Sequence, residues 1–149
     1  MLENLKTEGQ TNPLFIADFT PEFSWSAPND GQIAIDLEVS TSSGFERNTL
    51  VYTTGRYLTT AQTIEYATEN PIIWGESDDY YYGGYQGWTW GDLRAGIALQ
   101  RGVLYYWRVR YWNNIGVLIG WSDVNFFSIV PISTLVSLIF CSSSCICFE

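Results

Sequence analysis

Leu104-Tyr105-Tyr106-Trp107-Arg108-Val109-Arg110-Tyr111-Trp112 is the stretch on which the fold turns. Successive side chains of an extended chain point to opposite faces. Tyr105, Trp107, Val109 and Tyr111 therefore share one face, and Tyr106, Arg108, Arg110 and Trp112 share the other. The two arginines mark the second face as the wet one, with their stems lying over neighbouring apolar surface. Working outward, Asn113-Asn114-Ile115-Gly116 reads as a turn, and Trp121-Ser122-Asp123 leads into a closing strand over Val124–Val130. Upstream, Ile33, Ile35, Leu37 and Val39 alternate with Ala34, Asp36, Glu38 and Ser40. Phe23 and Trp25 alternate with Glu22, Ser24 and Ser26. With Pro28-Asn29-Asp30-Gly31 as a turn signal between them, residues 23–27 and 33–40 are expected to form a hairpin.

The remaining segments are shorter. Leu50–Thr53 and Tyr57–Thr60 read as two short strands, Leu14–Ile16 as an edge strand or arm, and Leu93–Leu99 as an apolar stretch. No helical period runs through the chain, and aromatic residues make up 17% of it, including seven Trp and ten Tyr. Aromatic and β-branched residues suit pleated, half-buried surfaces. The fold class expected is all-β: an antiparallel sandwich of about seven strands over residues 1–130, with a tail over 131–149. Its expected core contains Phe23, Trp25, Ile35, Leu37, Leu99, Tyr105, Trp107, Val109 and Trp121.

Composition excludes several chemistries. Sixteen acids against seven bases give a net charge of −9, which argues against a nucleic-acid partner, since Lys and Arg supply most of that affinity. The chain has no histidine, which removes Ser-His-Asp and Cys-His catalysis. The three cysteines, Cys141, Cys145 and Cys147, all lie in the tail, and three thiolates without a fourth ligand make a poor zinc site. The N-terminus MLENLKTEGQTNP has no apolar core of the secretory kind. The run Ile132–Phe140 falls short of the roughly 20 residues a spanning helix needs, so no transmembrane span is expected. The tail reads as an adventitious end, a site for palmitoylation or intermolecular disulfides, or the start of a longer multidomain chain.

Three patterns together resemble a fibronectin type III domain: Phe23-Ser24-Trp25 as a second-strand tryptophan, Leu99 six residues before Tyr105, and Trp121-Ser122 before a Phe-rich strand. The resemblance implies an immunoglobulin-like topology and a tyrosine corner at Tyr105, whose hydroxyl bonds back to nearby backbone. The chain is more similar still to the N-terminal sandwich domain ahead of the catalytic domain in bacterial α-L-rhamnosidases. Asn12-Pro13, Pro21, Phe23-Ser24-Trp25, Leu99, Tyr105-Tyr106-Trp107-Arg108-Val109-Arg110, Gly116, Trp121-Ser122 and Phe127 carry that similarity over most of residues 9–130. Two features depart from it: Thr53-Thr54-Gly55 stands where those domains have an acidic DSG, and residues 67–91 read as an insertion. The helical catalytic domain of the rhamnosidases has no counterpart. The module also occurs in surface and phage proteins, so it implies a fold and not an activity.

The insertion holds the candidate binding residues Trp74, Tyr80, Tyr81, Tyr82, Tyr85, Trp88 and Trp90, interleaved with glycines. Exposed flat rings would stack on sugars or a protein surface; buried, the same rings would cap the sandwich core. Glu76, Asp78 and Asp79 form a candidate Ca²⁺ cluster, or a solvated acidic turn. Glycoside hydrolysis needs a facing carboxylate pair, and no pair among Asp36, Glu38 and Asp92 is set in opposition. Arg108 and Arg110 read as a binding stripe or as surface partners of Asp36 and Glu38, each such pair contributing roughly 0–1 kcal/mol. The functional expectation is a non-catalytic module without cofactor, making adhesive, glycan or protein contacts at a cell or virion surface. The alternatives are a self-assembling virion or filament subunit, as a homo-oligomer, and a detached accessory domain of a glycoside hydrolase.

Overall fold

The computed structural model describes residues 1–28, 31–68, 93 and 95–131. Among these residues nine strands follow in chain order: β1 (Glu3–Thr7), β2 (Glu22–Ser26), β3 (Ala34–Ser40), β4 (Leu50–Thr53), β5 (Tyr57–Leu58), β6 (Thr63–Glu65), β7 (Leu104–Trp112), β8 (Leu118–Ile119) and β9 (Asn125–Ser128). One sheet has the order β1-β2-β6. The larger has the order β4-β3-β7-β8, with β5 also on β3 and β9 also on β7. Every strand pair is antiparallel. This is the immunoglobulin-like sandwich expected from the sequence.

The two sheets meet over aromatic rings. Phe23 of β2 lies 4.8 Å, centroid to centroid, from Trp107 of β7 and 5.7 Å from Phe127 of β9. Tyr105 stacks on Phe127 at 5.5 Å. Phe23, Trp25, Ile35, Leu37, Leu99, Tyr105, Trp107 and Val109 are all buried. Buried indole N–H groups need acceptors, and those of Trp107 and Trp25 have them: Trp107 Nε1 donates to Thr7 Oγ1 at 3.0 Å and Trp25 Nε1 to Gln32 Oε1 at 2.9 Å.

The expected hairpin between residues 23–27 and 33–40 does not form. β2 pairs with β1 and β6, while β3 crosses to the other sheet and pairs with β4, β5 and β7. Both strands turn an apolar face to the same core, but from opposite sides. Alternation specifies which face is buried and says nothing about the neighbour. A second correction concerns β3, whose residues are all buried; Asp36 and Glu38 do not face water.

The N-terminal segment is split between the sheets. β1 pairs with β2, then Thr7 and Gln10 exchange backbone hydrogen bonds around a turn in which Glu8 and Gly9 have φ of 51° and 74°. The chain then runs beside β9. Ile16 N–H donates to Ser128 O at 3.0 Å, Val130 N–H to Ile16 O at 2.8 Å, and Ser128 Oγ–H to Leu14 O. Ile16 and Ile129 form a parallel bridge. Residues 12–16 are thus an arm that covers the edge beyond β9, and edge cover suppresses intermolecular strand pairing.

The tyrosine corner closes as the resemblance implies. Gln100 N–H donates to the Tyr105 hydroxyl oxygen at 2.8 Å, which pins the chain as it enters β7.

Candidate functional site

The outer face of the larger sheet carries the densest cluster of charged and aromatic side chains among the described residues. The β3–β7 register sets Asp36 opposite Arg110 and Glu38 opposite Arg108. Arg110 Nη2 lies 2.8 Å from Asp36 Oδ2, and Arg108 Nη2 lies 2.9 Å from Glu38 Oε1. In each pair Nε donates to the same carboxylate oxygen, at 3.1 and 3.0 Å. Side-chain exposure is 1% for Asp36, 6% for Glu38, 16% for Arg110 and 25% for Arg108. These are charge-assisted contacts held away from water, not the surface pairs expected.

Rings separate the guanidinium groups. Arg56 lies 4.8 Å from the Trp112 ring centroid, and Arg110 lies 5.8 Å from the same ring. Arg110 and Arg108 sandwich Trp121 at 4.4 and 4.0 Å, and Arg108 continues onto Phe45 at 4.4 Å. The result is a ladder in the order Arg56, Trp112, Arg110, Trp121, Arg108, Phe45. A cation over a ring is worth about 0.5–1 kcal/mol when exposed and about 2 when desolvated.

Trp121 is the one expected core residue that is not in the core. It is half-buried on this outer face. Ser122 explains why: its N–H donates to Val109 O at 2.8 Å, and its hydroxyl accepts from Val109 N–H at 3.1 Å. Ser122 thereby fills the gap in pairing between β8 and β9, and holds the preceding indole over β7. The sequence flagged Arg108, Arg110 and Trp121 separately. Phe45 and Arg56 carried no periodic signal, because the turn and loop that hold them have none.

Chemically, this face is occupied. Each central guanidinium has a carboxylate and two rings, and each carboxylate is buried against its cation, so neither set is poised to move a proton or bind an anion. Among the described residues no group of three or more His, Cys, Asp or Glu is placed to hold a metal. Trp74, Tyr80, Tyr81, Tyr82, Tyr85, Trp88 and Trp90, the acids Glu76, Asp78, Asp79 and Asp92, and Cys141, Cys145 and Cys147 lie outside the described residues.

An apolar groove of about 390 Å³ is lined by Phe19, Thr20, Tyr66, Ala67, Gly96, Ala98 and Leu99. Sequence reasoning missed it, because its walls come from two separate connections, β1–β2 and β6–β7. Tyr66 is one of the lining residues, and its single O–H is shared between Ile97 O at 2.6 Å and Val51 O at 3.2 Å. Burial, then the neighbouring Tyr105 and Tyr52, push the Tyr66 phenol well above the ordinary tyrosine value of 10.0.

Residues 2–72 match the Rha78A-like, N-terminal immunoglobulin domain. The match covers just under half of the chain, and the likeness in three dimensions extends further. An α-L-rhamnosidase from Dictyoglumus thermophilum superposes with a TM-score of 0.63 at 26% identity, over 87% of this chain and 12% of the enzyme. The Streptomyces avermitilis α-L-rhamnosidase, solved with L-rhamnose, gives 0.62 at 19% identity over 87% and 10%. That from Aspergillus terreus gives 0.51 at 18% over 87% and 12%. The last two likenesses speak to the fold alone. The chain thus spans about one tenth of the length of these solved structures, and the domain it matches is the immunoglobulin-like one. None of the curated proteins matches the chain.

Proposed function

We propose that this chain works by contact and not by catalysis, as an accessory immunoglobulin-like module of a carbohydrate-active protein or assembly at a cell or virion surface. The observation that carries the reading is the asymmetry of coverage: the likeness takes in 87% of this chain but only 12% of the Dictyoglumus thermophilum enzyme. The charged cluster supports it physically. Asp36 and Glu38 are buried against arginines, whereas glycoside hydrolysis needs two carboxylates facing each other across a cleft. The contact surface proposed is the aromatic segment 74–90, whose rings would stack on sugar.

The test is a glycan array probed with the full chain and with a Trp88→Phe, Trp90→Phe variant, beside an assay for release of the aryl group from an aryl α-L-rhamnoside. The expected result is glycan binding that the double substitution weakens, with no aryl release. Turnover by the chain alone would sink the non-catalytic reading. Glycan binding unchanged in the variant would remove the aromatic segment from it.

A further inference from the structure

The apolar groove and the exit of the chain from the sandwich share one side chain. Arg101 lies 4.7 Å over the ring of Phe19, which forms one groove wall, and its Nη1 donates to Val130 O at 3.3 Å. Val130 is itself fixed, its N–H donating to Ile16 O at 2.8 Å. Eighteen residues follow Pro131, none of positions 132–148 is charged, and Ile132, Leu135, Val136, Leu138, Ile139 and Phe140 are apolar. We propose that this groove is the docking site for the run 132–140 of the same chain.

Three points support that occupant. The first is access. Nine extended residues reach up to about 30 Å, and Val130, two positions before the run, is held by the same Arg101 that lies over Phe19 of the groove wall. The second is chemistry, since Phe19, Ala67, Ala98 and Leu99 offer apolar surface and the chain otherwise carries a net charge of −9. The third is size. A cavity of about 150 Å³ takes one benzene, so the 390 Å³ here accommodates roughly two apolar side chains. The inference is independent of the functional reading above.

Disulfide trapping in the full chain tests it. Cys145→Ser and Cys147→Ser leave Cys141 as the reporter, and Ala98→Cys adds a thiol at the exposed groove rim. Ile115→Cys, 78% exposed and at the far end of β7, is the control. Docking raises the effective concentration of Cys141 at the groove, so the intrachain bond from position 98 is expected to form about ten-fold faster than from position 115. Leu135→Asp with Leu138→Asp is expected to abolish that advantage. Equal rates from both positions would overturn the proposal. So would an advantage that survives the two aspartates, which would reflect proximity alone. Predominantly interchain disulfides would overturn it too, since the run would then seat on another copy.

Discussion

Trp121 and Trp107 are fourteen positions apart and do different work. Trp107 is fully buried and hydrogen-bonded to Thr7, so Trp107→Ala should cost about 3–5 kcal/mol. Trp121 touches the core from neither sheet, and its main contacts are two guanidinium groups. Trp121→Ala is therefore expected to cost about 2 kcal/mol, from two contacts of about 1 kcal/mol each. Urea unfolding of both variants checks the order, and equal losses would mean that the ladder carries core-like weight. Tyr66 gives a pH signature. Its folded value is raised by burial, so its contribution is fully present below about pH 10 and is lost as the pH rises through the folded value. The denaturation midpoint should hold to about pH 9 and then fall. Tyr66→Phe should be less stable at neutral pH, having lost its bonds to Ile97 and Val51, yet fall less steeply above pH 10.

At the scale of the element, β7 was legible because its residues alternate from Leu104 to Tyr111 and its outer face carries two cations. β3 was legible for the same reason, although its second face is covered by the arginines of β7. β6 and β8 have three and two residues, too few for alternation to register. The hairpin expected of β2 and β3 failed because two strands on opposite sides of one core show the same pattern as two neighbours. The corner before β7 yields a prediction at this scale. Tyr105→Phe keeps the ring against Phe127 but leaves Gln100 N–H without its acceptor, which should cost about 1–3 kcal/mol. Thermal unfolding of the variant measures it, and a change below about 0.5 kcal/mol would show that the corner is incidental.

For the whole molecule the competing picture is a subunit that assembles. Leu14, Phe15, Ile115, Val117 and Leu118 are 41–78% exposed, which gives apolar surface at both ends of β7. Against this stand the net charge of −9, which favours mutual repulsion, and the arm that covers the β9 edge. Light scattering is expected to return the monomer mass across a hundred-fold range of concentration at moderate salt. A mass that climbs with concentration would favour the virion or filament reading over the accessory module. The sequence by itself determined the class of fold and which residues of β2, β3 and β7 face inward, because alternation is a local property and burial rewards it directly. Only the tertiary structure decided which strands are neighbours, that Asp36 and Glu38 lie buried beneath arginines, and that Trp121 belongs to the outer ladder. Those outcomes depend on sheet register and on contacts between residues as far apart as Asp36 and Arg110, and the spacing within any one segment does not encode them.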